Sequence, residues 1–466
     1  MKSNSKQISI DILNFAKKIF NINRSLTGKG NRKTLFLIKK EIKNLKLKSF
    51  PSNKKVFDWV IPLEWKINNG FIITPDKKKI CEFKKNFLHV ISYSQPIKKY
   101  LSLSDLKKNL ITLKNKPHSI PYATTYYKKK WGFCISYNQF KKLKKGKYFV
   151  HIDSKHFKGK LDYGELIIPG KSSKEILLST YICHPNLANN ETSGISLLTF
   201  ICKWIKQKKR NFTYRIIFTP ETIGSISYIH KNLKQMKKKV IAGYILTCVG
   251  DNRNFSYLRA RDEYSLTNKV ALNVLKSMSL KSKIYDWSYR GSDERQFCSP
   301  NINLPIGVIM RTKFGKYSEY HTSDDKIGKV VNAKGFEGSF NYVKKIIETF
   351  ENNFEKIENN FIPIQNINCE PFFEKRKINY KISANSLKIL RNQNDYENRY
   401  FKVSGKIKND NEILLVSRVL ISNVLWLCNG KNDLLNISNI LGLPFWEINR
   451  LVKLLVNKKI LINRKK

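Results

Sequence analysis

The sequence holds no Cys-x-x-Cys pair, no long unbroken apolar run and no His-Glu-x-x-His string. The first absence removes zinc ribbons and thioredoxin-type redox motifs. The second removes a membrane-spanning helix, which needs about 18 or more consecutive apolar residues. The third removes the close-spaced zinc-protease signature. Neither a Walker phosphate loop nor a dinucleotide-binding glycine fingerprint is present, and no segment repeats. The opening Met1-Lys2-Ser3-Asn4-Ser5-Lys6 lacks the apolar centre of a signal peptide, so a cytoplasmic location is expected. The eight cysteines are scattered, several inside apolar runs, and read as reduced core residues.

Acidic residues are also scarce. There are 35 Asp+Glu against 88 Lys+Arg, a formal net charge of +53. The direct reading is a polyanionic partner, nucleic acid or acidic lipid. The excess is spread along the chain, as at Lys128–Lys130, Lys141-Lys142, Lys208–Arg210 and Lys237–Lys239. Lysine, asparagine and isoleucine are abundant together, the mark of AT-biased coding, and that explanation is favoured. Weak, salt-sensitive adhesion to polyanions follows in either case. A hydrophobic content of 41% with 12% aromatics suffices for packed cores, and 466 residues suggest two or three domains.

What is present points to one region. The apolar run Ile176–Ile182 ends at Cys183-His184, and a polar loop, Pro185–Thr192, leads to Ser193-Gly194 and a helical pattern. A histidine at the end of a buried strand, before a loop and a helix start, suits a metal or catalytic site in an open α/β sheet. The alternative is a buried histidine satisfied by the backbone. Matching pieces follow in order. Phe212–Pro220 ends at Glu221-Thr222-Ile223-Gly224, Ile241–Val249 ends at Gly250-Asp251, and Leu304–Met310 leads to Tyr320-His321-Thr322. Strand ends carrying His, Glu and His are what metal-assisted hydrolysis uses. Imidazoles hold the cation and a carboxylate removes a proton from water.

With those pieces in view, the chain resembles the bacterial leucyl-aminopeptidase type of zinc exopeptidase. It is more closely similar to an aminopeptidase-like family often encoded beside surface-polysaccharide genes. The shared strings are Arg24-Ser25-Leu26-Thr27-Gly28, Val56-Phe57-Asp58-Trp59, the His184 loop, Gly291-Ser292-Asp293-Glu294-Arg295-Gln296 and Tyr320-His321-Thr322. The resemblance implies that His184 and His321 are metal ligands and that Glu221 is the general base. Asn190 stands where the zinc peptidases have a metal-bridging aspartate, Thr222 where they have a second glutamate, and Cys248 or Thr247 where a further aspartate is expected. Two dications repel strongly without bridging carboxylates. The expectation is therefore one zinc ion, its third ligand either the Asn190 amide oxygen or the Glu191 carboxylate. A degenerate site that binds no metal is the alternative. Asp293, Glu294 and Arg295 are placed at the pocket rim. There Arg295 would clamp a substrate carboxylate, and Tyr320 would donate to a developing oxyanion.

The fold expected is α/β, a zinc-exopeptidase-like mixed sheet with helices on both faces. Residues 1–51 are assigned to N-terminal helices of the peptidase-like domain, and 52–148 to a β-rich insertion. The catalytic core takes 149–355 and a connector 356–381. In 382–466 the order helix, short helix, tight turn, helix, strand is that of a winged helix-turn-helix. Asn449, Arg450, Lys453, Asn457, Lys458 and Lys459 would be available to DNA, but Leu451, Leu454, Leu455 and Val456 call for packing. A protein-interaction module, supporting a homo-oligomer, is favoured over a DNA reader. The function expected is an aminopeptidase-like metal-dependent hydrolase of an amide or peptide-like bond, acting on a small-molecule or peptide-like substrate in surface polysaccharide biosynthesis. The alternative is a nucleic-acid-binding or protein-interaction regulator with a degenerate ligand-sensing domain.

Overall fold

The computed structural model describes residues 2–278, 282–354, 362–366, 376–391 and 410–463. Its largest sheet has eight strands. In spatial order they are Lys46–Pro51, Lys160–Ile168, Thr213–Thr219, Glu175–Tyr181, Val240–Leu246, Ile306–Met310, Phe255–Leu258 and Ser282–Tyr285. The four central strands run parallel. The strands flanking them pair antiparallel. The sheet is therefore mixed. Every residue of Glu175–Tyr181, Thr213–Thr219 and Ile306–Met310 is buried. This explains why these segments read as unbroken apolar runs instead of alternating ones.

Helices connect the parallel strands. Ser193–Ile205 follows the strand Glu175–Tyr181, and Ile223–Lys239 follows Thr213–Thr219. The N-terminal helices are Lys2–Phe20 and Lys29–Glu41. Between Arg24 and Gly28 the chain turns sharply, and Gly28 has φ 110° with Trp65 O close to where a Cβ would stand. Only glycine takes that conformation at no cost.

A second, antiparallel sheet of four strands, Lys79–Ile80, Glu64–Ile73, Lys147–Phe157 and Ile97–Ser102, has its own apolar core around Ile72, Phe133, Tyr148 and Val150. Its strand Lys147–Phe157 runs beyond Tyr148. Pairing on both sides, with Glu64–Ile73 and Ile97–Ser102, holds that strand in the sheet.

The chain divides into two compact units. One comprises 1–263 and 283–341, and so contains both sheets. The other comprises 264–282 and 342–466. In it Leu266–Met278, Ala384–Arg391, Asp410–Leu427, Leu434–Leu441 and Phe445–Asn457 are helical, and Pro363–Gln365 pairs antiparallel with Leu461–Asn463. Asp433 caps the helix Leu434–Leu441 by accepting from Asn436 N, and Gly442 at φ 66° ends it. Most of the expected connector 356–381 lies outside the described residues.

Candidate active site

The site forms where the central strands end. Chain reversals follow Tyr181, Thr219, Leu246 and Met310, and each brings a polar residue to the same edge of the sheet. Three of these residues have left-handed backbone: Thr222 (φ 62°), Cys248 (φ 50°) and His321 (φ 54°). For a β-branched threonine this region is strongly disfavoured. Each such residue costs about 1–3 kcal/mol, and strain of this kind collects at functional sites.

His184 follows the strand Glu175–Tyr181 and is buried. Its Nδ1 lies 3.0 Å from Glu191 Oε2. That oxygen also accepts from the backbone N–H groups of Cys183 and of His184, the latter at 2.7 Å. The other oxygen of Glu191 accepts from Arg24 Nε at 2.8 Å. Arg24 further donates to Ile19 O, Thr192 Oγ1 and His184 O. The buried arginine thus neutralises the buried carboxylate, which fixes the imidazole with Nδ1 as donor and Nε2 as the free lone pair. Burial works against charging His184, but the hydrogen bond and charge of Glu191, with Glu221, raise its pKa.

Of the two alternatives for a third ligand, Glu191 is committed to four hydrogen bonds and acts on His184 from behind. Cys183 Sγ, His184 and Glu191 come within 4.8 Å of one another. This is the same hydrogen-bonded cluster, and burial holds the Cys183 thiol far above its usual range.

Glu221 faces the other side of the ring, with Oε2 3.8 Å from His184 Nε2. Its Oε1 accepts from Ser292 Oγ at 2.7 Å and its N–H points at Cys183 Sγ. His321 sits with its ring 5.6 Å from that of His184, and Tyr320 stacks on it at 3.9 Å. Its Nε2 has no hydrogen-bond partner among the described residues. Burial, then the neighbouring His184 and Lys116, push its pKa down to about 3, so the ring is neutral. Asn190 donates from Nδ2 to Tyr181 OH at 3.0 Å, and its Oδ1 is likewise buried and unpartnered among the described residues. Its backbone N–H is fixed by Asp325.

One other candidate is placed differently from the sequence expectation. Asp293 is fully buried and does not lie on a rim. Its Oδ1 accepts from Thr222 N at 2.7 Å and Ser225 Oγ at 2.9 Å, so it satisfies the start of the helix Ile223–Lys239 and holds the strained Thr222. Arg295 is exposed, bonded to Ser292 O at 3.0 Å with Thr222 Oγ1 at 3.5 Å. It lies on the short helix Glu294–Phe297, at the exposed outer edge.

Sequence reasoning missed the contribution of the segment around Tyr122. Ile120 and Tyr122 pair with the His321 turn: Tyr122 N donates to His321 O at 2.8 Å and Ser323 N to Ile120 O at 2.8 Å. The Tyr122 ring lies 4.9 Å from His184 and 5.1 Å from His321. The available signal was the aromatic cluster Tyr122, Tyr126 and Tyr127 in an otherwise polar stretch.

His184 Nε2, His321 Nε2 and Asn190 Oδ1 are acceptor atoms in a buried setting, and the last two have no partner among the described residues. Buried polar atoms are rarely left so. Two imidazoles and one amide oxygen make a donor set suited to a single borderline-soft dication.

Comparison with known proteins agrees with this architecture. A family model described as a domain of unknown function, DUF4910, matches residues 13–353. The chain belongs to this family. A relative in Clostridium acetobutylicum is 37% identical over 96% of this chain and 94% of its own length. It is named for polysaccharide biosynthesis and an aminopeptidase-like domain. A crystal structure from the same organism, provisionally called a peptidase, matches with TM-score 0.83 and 35% identity, covering 99% of this chain and 98% of that one. A zinc aminopeptidase from Bacillus subtilis matches with TM-score 0.54 at 15% identity, covering 74% of this chain and 94% of that one. At that identity the likeness shows the fold: the DUF4910 chain is built like a zinc aminopeptidase.

Proposed function

We propose that this protein is a metal-dependent hydrolase of an amide or peptide-like bond, with one zinc ion held by His184, His321 and the Asn190 amide oxygen. The observation that carries the reading is the pair of imidazoles beside Glu221, His184 buried and His321 half-buried with its Nε2 enclosed and unpartnered among the described residues, at the carboxyl ends of the parallel strands. When bound, the ion supplies Lewis acidity and stabilises developing negative charge. The chain supplies the remainder. Ser292 holds one oxygen of Glu221, which leaves the other free to take a proton from the attacking water and return it to the leaving nitrogen. Burial raises the pKa of Tyr320, which keeps it a neutral donor beside His321. Its phenol suits an oxyanion. Arg295, being exposed, suits the carboxylate of a peptide-like substrate at the outer edge.

The name of the Clostridium relative supports a place in surface polysaccharide biosynthesis. The C-terminal elements support a winged-helix-like module over 382–466 that mediates protein contacts, a homo-oligomer included. In that unit Asn449 is buried, and Arg450 is engaged by Glu447 and Lys381 O. Two of the side chains a DNA reader would extend are thus already committed, which disfavours the nucleic-acid-binding regulator.

Metal analysis after zinc-supplemented expression tests the reading. About one zinc per chain is expected, with His184→Ala and His321→Ala each removing it. Glu221→Gln is expected to retain the metal and to lose roughly 10²–10⁴-fold in turnover of whichever N-acyl sugar or short peptide a screen identifies. A zinc-free protein, or one with two full sites, would overturn the assignment.

A further inference from the structure

The segment from Ser119 to Tyr122 forms backbone hydrogen bonds with the turn His321–Asp324, a bridge joins Pro121 to Thr322, and Ser119 Oγ bonds Asp324. This pairing places the Tyr122 ring on both imidazoles. The three rings form a nearly equilateral triangle, with centroid separations of 4.9, 5.1 and 5.6 Å. Tyr122 OH lies 3.2 Å from Tyr126 OH. Tyr126 in turn packs edge-on against Tyr93, whose hydroxyl bonds Thr27 Oγ1 at 2.6 Å. The turn at Arg24–Gly28 therefore braces this aromatic wall through Thr27, as it braces His184 through Arg24 and Glu191.

Each phenol carries one proton. Within the pair one hydroxyl donates to the other, which leaves the second proton with no acceptor among the described residues in the hydrogen bonds seen for either tyrosine. We propose that Tyr122 and Tyr126 form a hydrogen-bond donor pair that receives a carbonyl-type oxygen of the ligand beside the two histidines. The insertion would then supply part of the ligand-binding surface. This rests on the one-metal reading above, and it narrows the ligand to one presenting an acyl oxygen, as an N-acyl or peptide group does.

Cobalt substitution with acetohydroxamate as probe separates the two ideas. Cobalt gives a visible absorption band when held by His184 and His321, and hydroxamate presents the required acyl oxygen. Tyr122→Phe and Tyr126→Phe keep the rings and remove the hydroxyls. The cobalt band is expected to be unchanged in both variants, and hydroxamate affinity to fall about tenfold, as for one lost hydrogen bond. The double variant is expected to fall little further, because the pair acts as a unit. Unchanged hydroxamate affinity in both single variants with a normal cobalt band would overturn the tyrosine proposal alone. No cobalt band in the unmodified protein would overturn the metal reading, and this proposal with it.

Discussion

Asp293 and Glu221 share one corner of the site but have different surroundings. Asp293 is enclosed, and burial together with the charge of Glu221 pushes its pKa up to about 8. Glu221 retains some access to solvent, its side chain 23% exposed. Enclosure beside a second acidic group holds the Asp293 carboxyl protonated well above the usual carboxylate range. The stability consequence follows by linkage. Asp293 binds its proton more tightly in the folded chain than in the unfolded one, where its pKa is about 4. Its contribution is therefore full below about pH 4 and is lost as pH rises through about 8. A carboxamide in its place would imitate the protonated acid and would not titrate. Asp293→Asn in metal-free protein is thus expected to gain stability relative to the unmodified chain between about pH 5 and pH 8, as read by denaturant unfolding. Parallel pH curves for the two proteins would show that Asp293 is ionised throughout.

Packing of individual elements places the site residues. The helix Ser193–Ile205 begins so close to the sheet that a Cβ on Gly194 would stand 2.4 Å from both Leu246 O and Thr180 Oγ1. Gly194→Ala must push the helix start away from two strands, and with it the turn that carries Asn190 and Glu191. A loss of about 1–3 kcal/mol is expected, measured by thermal or denaturant unfolding, because the contacting atoms are backbone and a buried hydroxyl. Little or no loss would mean that the helix start can shift freely. Much of this arrangement was legible in the sequence. The runs ending at Ile182, Pro220 and Met310 announced the buried parallel strands, and His184, Glu221 and His321 stood at their ends. Other features were not legible. The role of Glu191 depends on Arg24, 167 positions away. The placement of Tyr122 depends on a cross-strand pairing with His321, and no local periodicity records such a pairing. The left-handed backbone of Thr222 runs against its residue type and is imposed by Asp293 from another loop.

At the scale of the whole molecule, the net charge of +53 remains to be reconciled with a hydrolase. No helix among the described residues is long and apolar enough to cross a membrane. In the C-terminal unit, Glu447 is buried and accepts from Tyr380, Ser383, Ser386 and Arg450. Arg450 thus serves an internal network, and Lys453 and Lys459 are exposed on that stretch without belonging to it. A basic surface of this diffuse kind binds phosphates through counterion release, and such binding does not distinguish sequences. The full chain is therefore expected to bind random duplex DNA at low salt and to lose that binding steeply. With six to ten phosphate contacts the loss is about 10³–10⁵ in affinity between 50 and 200 mM salt. Competition between duplexes of different sequence should show no preference. A specific reader would behave differently, with one duplex bound about 10³-fold or more tighter than random DNA at physiological salt. A titration that finds such a preference would move the centre of function from the histidine site to the C-terminal unit. A steep, sequence-blind salt curve would assign the charge to composition and leave the strand-end site as the part of the molecule that acts.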